Sequence, residues 1–153
     1  MGVDDFRRLL TDFHLVALDT MVFVYHLANH PRYSALTTAV LEAIEMGQLI
    51  GVTTTITLAE ILTAPVKAGD RQAFQDYELY LTRFPNLQIA PLDVALARET
   101  ALVRDATGLR TPDAIQVAAA RLVNADAIIT NDRRWVGRVD RPAVVVLDEY
   151  AAS

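Results

Sequence analysis

The chain has 153 residues, 52% of them hydrophobic, a formal net charge of −5 and no cysteine. This length suits one domain spanning residues 1–153 that buries roughly two-thirds of the surface of its unfolded chain. The charge argues against a protein that coats nucleic acid through a basic face, and the lack of cysteine excludes disulfides, a thiolate metal site and a cysteine nucleophile.

Residues 1–12 mix acids and bases and read as a short lead-in helix or a frayed end. Asp4 and Asp5 stand where a signal peptide carries positive charge, and no apolar run approaches the roughly 18 residues of a membrane span. A cytoplasmic protein without membrane association is therefore expected. Leu15-Val16-Ala17-Leu18, stopped by Asp19, reads as a buried strand of a parallel sheet. A helix over about 20–28 follows and ends at Asn29-His30-Pro31, because the residue before a proline is pushed out of the helical region. Ser34 is placed to cap the next helix, with Leu36, Val40 and Ile44 on one face and Gly47 at its end. Residues 49–53 form a second strand. It leads into a helix over 56–62 that carries Glu60 and that Pro65 is expected to stop.

Asp70 caps a helix with Phe74, Tyr77, Leu81 and Phe84 at helical spacing, ended by Pro85. Residues 87–90 are a third strand. Asp93 caps a helix to about Ala106, closed by Gly108. Thr111 is expected as the cap of a further helix, with Pro112 at its first position and its end near Val123. Residues 127–130 are the fourth strand and 143–147 the fifth. Strands alternating with helical segments indicate parallel βαβ units with right-handed crossovers, an α/β fold.

In a parallel sheet all strands point their carboxyl ends to one edge, where each following helix begins. Asp19 and Asp132 lie there directly, after strands one and four. Glu60 lies in the first turns after strand two, and Asp113 opens the helix that feeds strand four. If the strand order is 3-2-1-4-5, strands one and four are neighbours, the crevice opens between them and the four acids converge on it. Each acid also fits a structural role on its own. Asp19 can cap a helix, Asp113 suits a helix dipole and Asp132 suits a turn. Glu60 is harder to place so, being bracketed by Leu58, Ala59, Ile61 and Leu62.

Two carboxylates 4 Å apart repel by about 4 kcal/mol at an effective dielectric of 20, so four together call for a cation. Oxygen ligands alone select a hard divalent ion, Mg²⁺ or Mn²⁺, over zinc. Such sites stabilise the attacking and leaving oxygens of an in-line phosphoryl displacement, which makes phosphodiester hydrolysis the natural chemistry.

These residues resemble the PIN domain family, and among its members the VapC toxins of type II toxin–antitoxin systems. The resemblance is carried by Asp19-Thr20, Glu60, Thr111-Pro112-Asp113-Ala114-Ile115 and Thr130-Asn131-Asp132 with Arg133-Arg134-Trp135 after it, and it covers about residues 14–148. It implies a three-layer α/β/α sandwich with a central parallel sheet and a Mg²⁺- or Mn²⁺-dependent endoribonuclease. Carried over, Asp19, Glu60, Asp113 and Asp132 are the acidic catalytic and metal-binding set, with Thr20 and Thr130 supporting it through their hydroxyls. Met21 departs from the small polar residue often found there. The resemblance also implies an RNA substrate, a homodimer and a VapB-type antitoxin, and a partner or second copy would cover the apolar surplus of the composition.

Substrate phosphates are expected to meet Arg133, Arg134 and Arg138, with Arg104 and Arg110 as further candidates; the same arginines also fit a solvated loop. Tyr25 and Trp135 are expected in the core rather than as base-stacking platforms. His26 and His30, four apart, lack the glutamate of a zinc-protease motif. Asp93 is expected to be only a cap. Two other readings stay open: a non-cleaving PIN-type module that binds RNA or protein, and an RNA-processing PIN nuclease without an antitoxin.

Overall fold

A central parallel sheet fills the computed structural model, which describes residues 1–152. Its strands are β1 (Leu15–Leu18), β2 (Ile50–Thr54), β3 (Leu87–Ala90), β4 (Ala127–Thr130) and β5 (Ala143–Val146), in the order β3-β2-β1-β4-β5. This is the expected order, and it puts the crevice beside β1 and β4. Both are short and apolar because both faces are covered by helices.

Alternation along the strands divides the core in two. Val16, Leu18, Ala127 and Ile129 face one side, and Ala17, Val52 and Ile128 the other. The first side is covered by α1 (Val3–Leu10), α2 (Thr20–Leu27), α3 (Ser34–Glu45), α4 (Thr55–Ala68) and α5 (Arg71–Thr82), which supply Phe6, Phe23, Ile44, Ile61 and Leu81. On the other side lie α6 (Val94–Thr107) and α7 (Thr111–Leu122), with Leu96, Val103, Val117 and Trp135 against the sheet. The three layers are those of the resemblance. No helix of the described residues is long and apolar enough to cross a membrane.

Of the two readings of the first residues, the structure takes the lead-in helix, since Phe6 and Leu10 recur one turn apart and are both buried. Two other local expectations need correction. Pro65 does not stop α4: the helix runs three residues further, with the proline ring buried beside Ile61, and ends where Gly69 turns left-handed at φ 66°. A proline costs an exposed helix about 3 kcal/mol, and core packing here outweighs that cost. Two caps shift by one residue. Tyr33 precedes α3, so Ser34 is its first residue, and Arg110 precedes α7, which places Thr111 and Pro112 inside the first turn.

Candidate active site

β1 ends one residue before the site. The Asp19 N–H still donates to the Ile129 carbonyl (2.9 Å), so the β1–β4 ladder continues to Asp19 and holds it beside Thr130. Asp19 then caps α2: its Oδ1 accepts the Thr20 N–H at 2.8 Å, and its Oδ2 accepts the Thr130 hydroxyl at 2.8 Å. The cap and the site are one and the same residue. Asp19 is only 8% exposed, and both hydrogen-bond partners are neutral. Burial therefore pushes its carboxyl up to about 6, against the pull of the two hydrogen bonds, and the nearby Asp113 and Glu60 carboxylates raise it further.

Glu60 stands on the first two turns of α4, exposed at its tip, with Oε1 accepting the Thr20 hydroxyl at 3.0 Å. Asp113 sits in the first turn of α7, half-buried; burial first, and then the charge of Asp132, raise its pKa. Asp19, Glu60 and Asp113 thus come from three separate elements, and Asp19 senses the charge of the other two.

Asp132 is differently placed. Its backbone N–H donates to Thr130 Oγ1 (3.1 Å), and its carboxylate is gripped by Arg134, Nε to Oδ1 at 2.9 Å and Nη2 to Oδ2 at 2.6 Å. That fork holds its pKa below the ordinary carboxylate range. Asp132 also caps the 3₁₀ turn Arg133–Trp135.

Among the described residues, no three acidic or histidine side chains stand close enough together to hold a cation as placed. The chemistry of the donors nonetheless fits one: Asp19, Glu60 and Asp113 offer carboxylate oxygens on one crevice, and the buried Asp19 has only neutral partners.

The five arginines separate. Arg110, Arg134 and Arg138 line one pocket of about 90 Å³ with Asp113 and Gly108. Arg133 turns away and pairs with Asp148 at 2.9 Å. Arg104 lines another groove, between α6 and α7. A larger cavity, about 590 Å³ between α1 and α3, contains none of the four acids.

Trp135 is wholly buried, whereas Tyr25 is half-buried and stacks on Tyr33 at 4.5 Å between centroids. Asp93 caps α6 by accepting the Leu96 N–H at 2.9 Å. His26 contacts Thr37, and His30 accepts the Arg32 N–H.

Sequence reasoning missed the layer beneath the acids. Gln116, from the middle of α7, is buried and hydrogen-bonded to Thr20, Thr54 and Thr57. The signal was available, since a glutamine inside the otherwise apolar run 114–120 needs partners.

A family model described as PIN domain matches residues 16–142. Among solved structures, the chain resembles VapBC2 from Rickettsia felis bound to a promoter DNA fragment, with a TM-score of 0.68 at 19% identity over 86% of this chain and 98% of that one. It also resembles a toxin–antitoxin complex from Klebsiella pneumoniae (TM-score 0.65, 21% identity, 86% and 97%) and FitAcB from Neisseria gonorrhoeae (0.65, 20%, 86% and 97%). A search of curated protein sequences gives no match.

Proposed function

The chain belongs to the PIN domain family, and from that premise we propose that it is a metal-dependent endoribonuclease, the toxin of a toxin–antitoxin pair. One observation carries the reading. A buried carboxylate, Asp19, lies within electrostatic reach of two more at the same sheet edge, Glu60 and Asp113, and is satisfied only by neutral donors. Such an arrangement weakens the fold unless a cation enters it.

In this proposal Asp19 and Asp113 hold the principal Mg²⁺ or Mn²⁺, and Glu60 and Asp132 complete its shell or a weaker second site. The cation supplies an acidified water and neutralises charge on the phosphoryl group. The chain's own residues do the rest. Thr130 and the Thr20 N–H hold the Asp19 carboxylate in one orientation, and the Thr20 hydroxyl holds Glu60. Asp132 is the conditional member, because it exchanges Arg134 for the cation when it ligates. Arg110 and Arg138 face the pocket beside Asp113 and receive RNA phosphates, and Arg134 joins them once released. Arg133, paired with Asp148, and Arg104, in a different groove, stand outside that set.

The similar structures are toxin–antitoxin complexes, which favours a VapB-type antitoxin as partner. We propose in addition one domain over 1–153, a homodimer and a cytoplasmic location. The test is thermal unfolding of wild type and Asp19→Asn in chelator and in millimolar Mn²⁺, followed by cleavage of single-stranded RNA. A cation at a hundred times its Kd should stabilise the wild type by about 2.7 kcal/mol, and Asp19→Asn hardly at all, with cleavage lost in the variant. If Mn²⁺ shifts neither protein and RNA stays intact, the non-cleaving binding module replaces this reading.

A further inference from the structure

Gln116 is buried, 3% exposed, three residues after Asp113 on the same helix, and its amide meets three hydroxyls. Its Oε1 accepts the Thr54 hydroxyl at 2.9 Å, while Nε2 donates to Thr57 Oγ1 at 2.8 Å and to Thr20 Oγ1 at 3.2 Å. Thr54 Oγ1 accepts the Ile56 N–H at 3.2 Å and has its own proton free for the Gln116 carbonyl oxygen, and the amide nitrogen belongs beside Thr20 because the Glu60 carboxylate there can only accept.

A threonine hydroxyl carries one proton. At Thr20 the oxygen receives the Gln116 N–H, while the Glu60 carboxylate, an acceptor only when ionised, lies 3.0 Å away. The Thr20 proton therefore goes to Glu60. Thr57, 3.1 Å from Thr20, is the one competing acceptor, but it is neutral and already accepts the Gln116 N–H, and a carboxylate is the stronger acceptor. Thr53, 2.8 Å from Thr57 and 2.9 Å from the Leu18 carbonyl, extends the cluster beneath Asp19. Glu60 is a long, exposed side chain, and Thr20 is its hydrogen-bond partner among the described residues.

We propose that Gln116 is a positioning residue. By donating to Thr20 and Thr57 together it aims the Thr20 proton at Glu60, and so couples the helix of Asp113 to the carboxylate on α4. The inference rests on the proposed metal site and concerns how that site is held. Outer-shell partners of metal ligands typically matter 10- to 100-fold in affinity.

The experiment measures Mn²⁺ affinity by calorimetry and by loss of the free-ion EPR signal, in wild type, Gln116→Met, Glu60→Gln and the double variant, each verified as folded by circular dichroism. Gln116→Met should weaken Mn²⁺ binding about tenfold on its own and by less than about twofold in the Glu60→Gln background. Gln116→Glu keeps the shape but, ionised, accepts where the amide donates. It should lose affinity like the methionine variant, and it carries the test if that variant does not fold. Unchanged affinity in the Gln116 variants, or an equal loss with and without the Glu60 carboxylate, overturns the inference and leaves the metal site standing. A wild type that binds no Mn²⁺ overturns the site itself, and this inference with it.

Discussion

At Asp19 a structural duty and the proposed chemical one meet on a single carboxylate. The residue caps α2, yet burial holds its pKa at about 6 against an ordinary value of 3.8. A carboxyl raised in the folded state lowers stability as pH climbs from the unfolded value towards the folded one, and the penalty is complete above the latter. A rise from 3.8 to about 6 corresponds to roughly 3 kcal/mol, of which an amide should recover part. In chelator, Asp19→Asn is therefore expected to be about 1–3 kcal/mol more stable than wild type at pH 7. The advantage should shrink between pH 6 and 4 and vanish below, where Asp19 is protonated; urea unfolding across that range checks it. A variant equally or less stable at neutral pH would mean that the carboxylate is not penalised there. The only tryptophan, Trp135, is a built-in reporter. It lies buried just after Asp132, its Nε1 without a partner among the described residues, so its fluorescence should follow release of Asp132 from Arg134.

Elements carry the acids to their places, and glycines show where an element has no room or no choice. Gly69 ends α4 in the left-handed region with open space around it, so Gly69→Ala should cost only the backbone term, about 1 kcal/mol. Gly51 in β2 is a packing glycine. A methyl there would lie 2.7 Å from Ile44 Cδ1 and 3.0 Å from Leu87 Cδ1, so Gly51→Ala should cost about 1–3 kcal/mol, by overpacking the seam between α3, β2 and β3. Urea midpoints distinguish the two, and a Gly69 variant costing as much as the Gly51 one would contradict this division. At the same scale lie the misplaced boundaries. Pro65 carries the local mark of a stop, and only the burial of its ring beside Ile61 carries α4 through it. Thr111 has the chemistry of a cap, but the chain becomes helical one residue sooner, after Arg110.

Over the whole molecule the proposed function has an acidic protein offer arginines to an acidic substrate. Arg110 and Arg138 carry that idea: they share a pocket with Asp113 and make no ion pair with the described residues. In an Asp19→Asn background, which should bind RNA without cutting it, removing both should weaken binding to all sequences alike. It should also reduce the dependence of log affinity on log salt by about 1.4, at roughly 0.7 per phosphate contact on a single strand. An unchanged slope would place the RNA elsewhere. The strands and the shared edge of Asp19, Glu60, Asp113 and Asp132 were legible from the chain alone. They follow from apolar runs, caps and the one-way geometry of parallel strands, whereas the sheet order came with the resemblance to the PIN domain family and not from these local patterns. Side-chain pairings and packing were not legible, whether the partners lie near or far in the chain. The grip of Arg134 on Asp132, the turn of Arg133 towards Asp148 and the passage of α4 through Pro65 depend on rotamers and packing. So does the meeting of Gln116 with hydroxyls 59 to 96 residues away. Such side chains have several partners within reach in the unfolded chain. Only the packed interior, where an unpaired polar group is costly, decides which of them they keep.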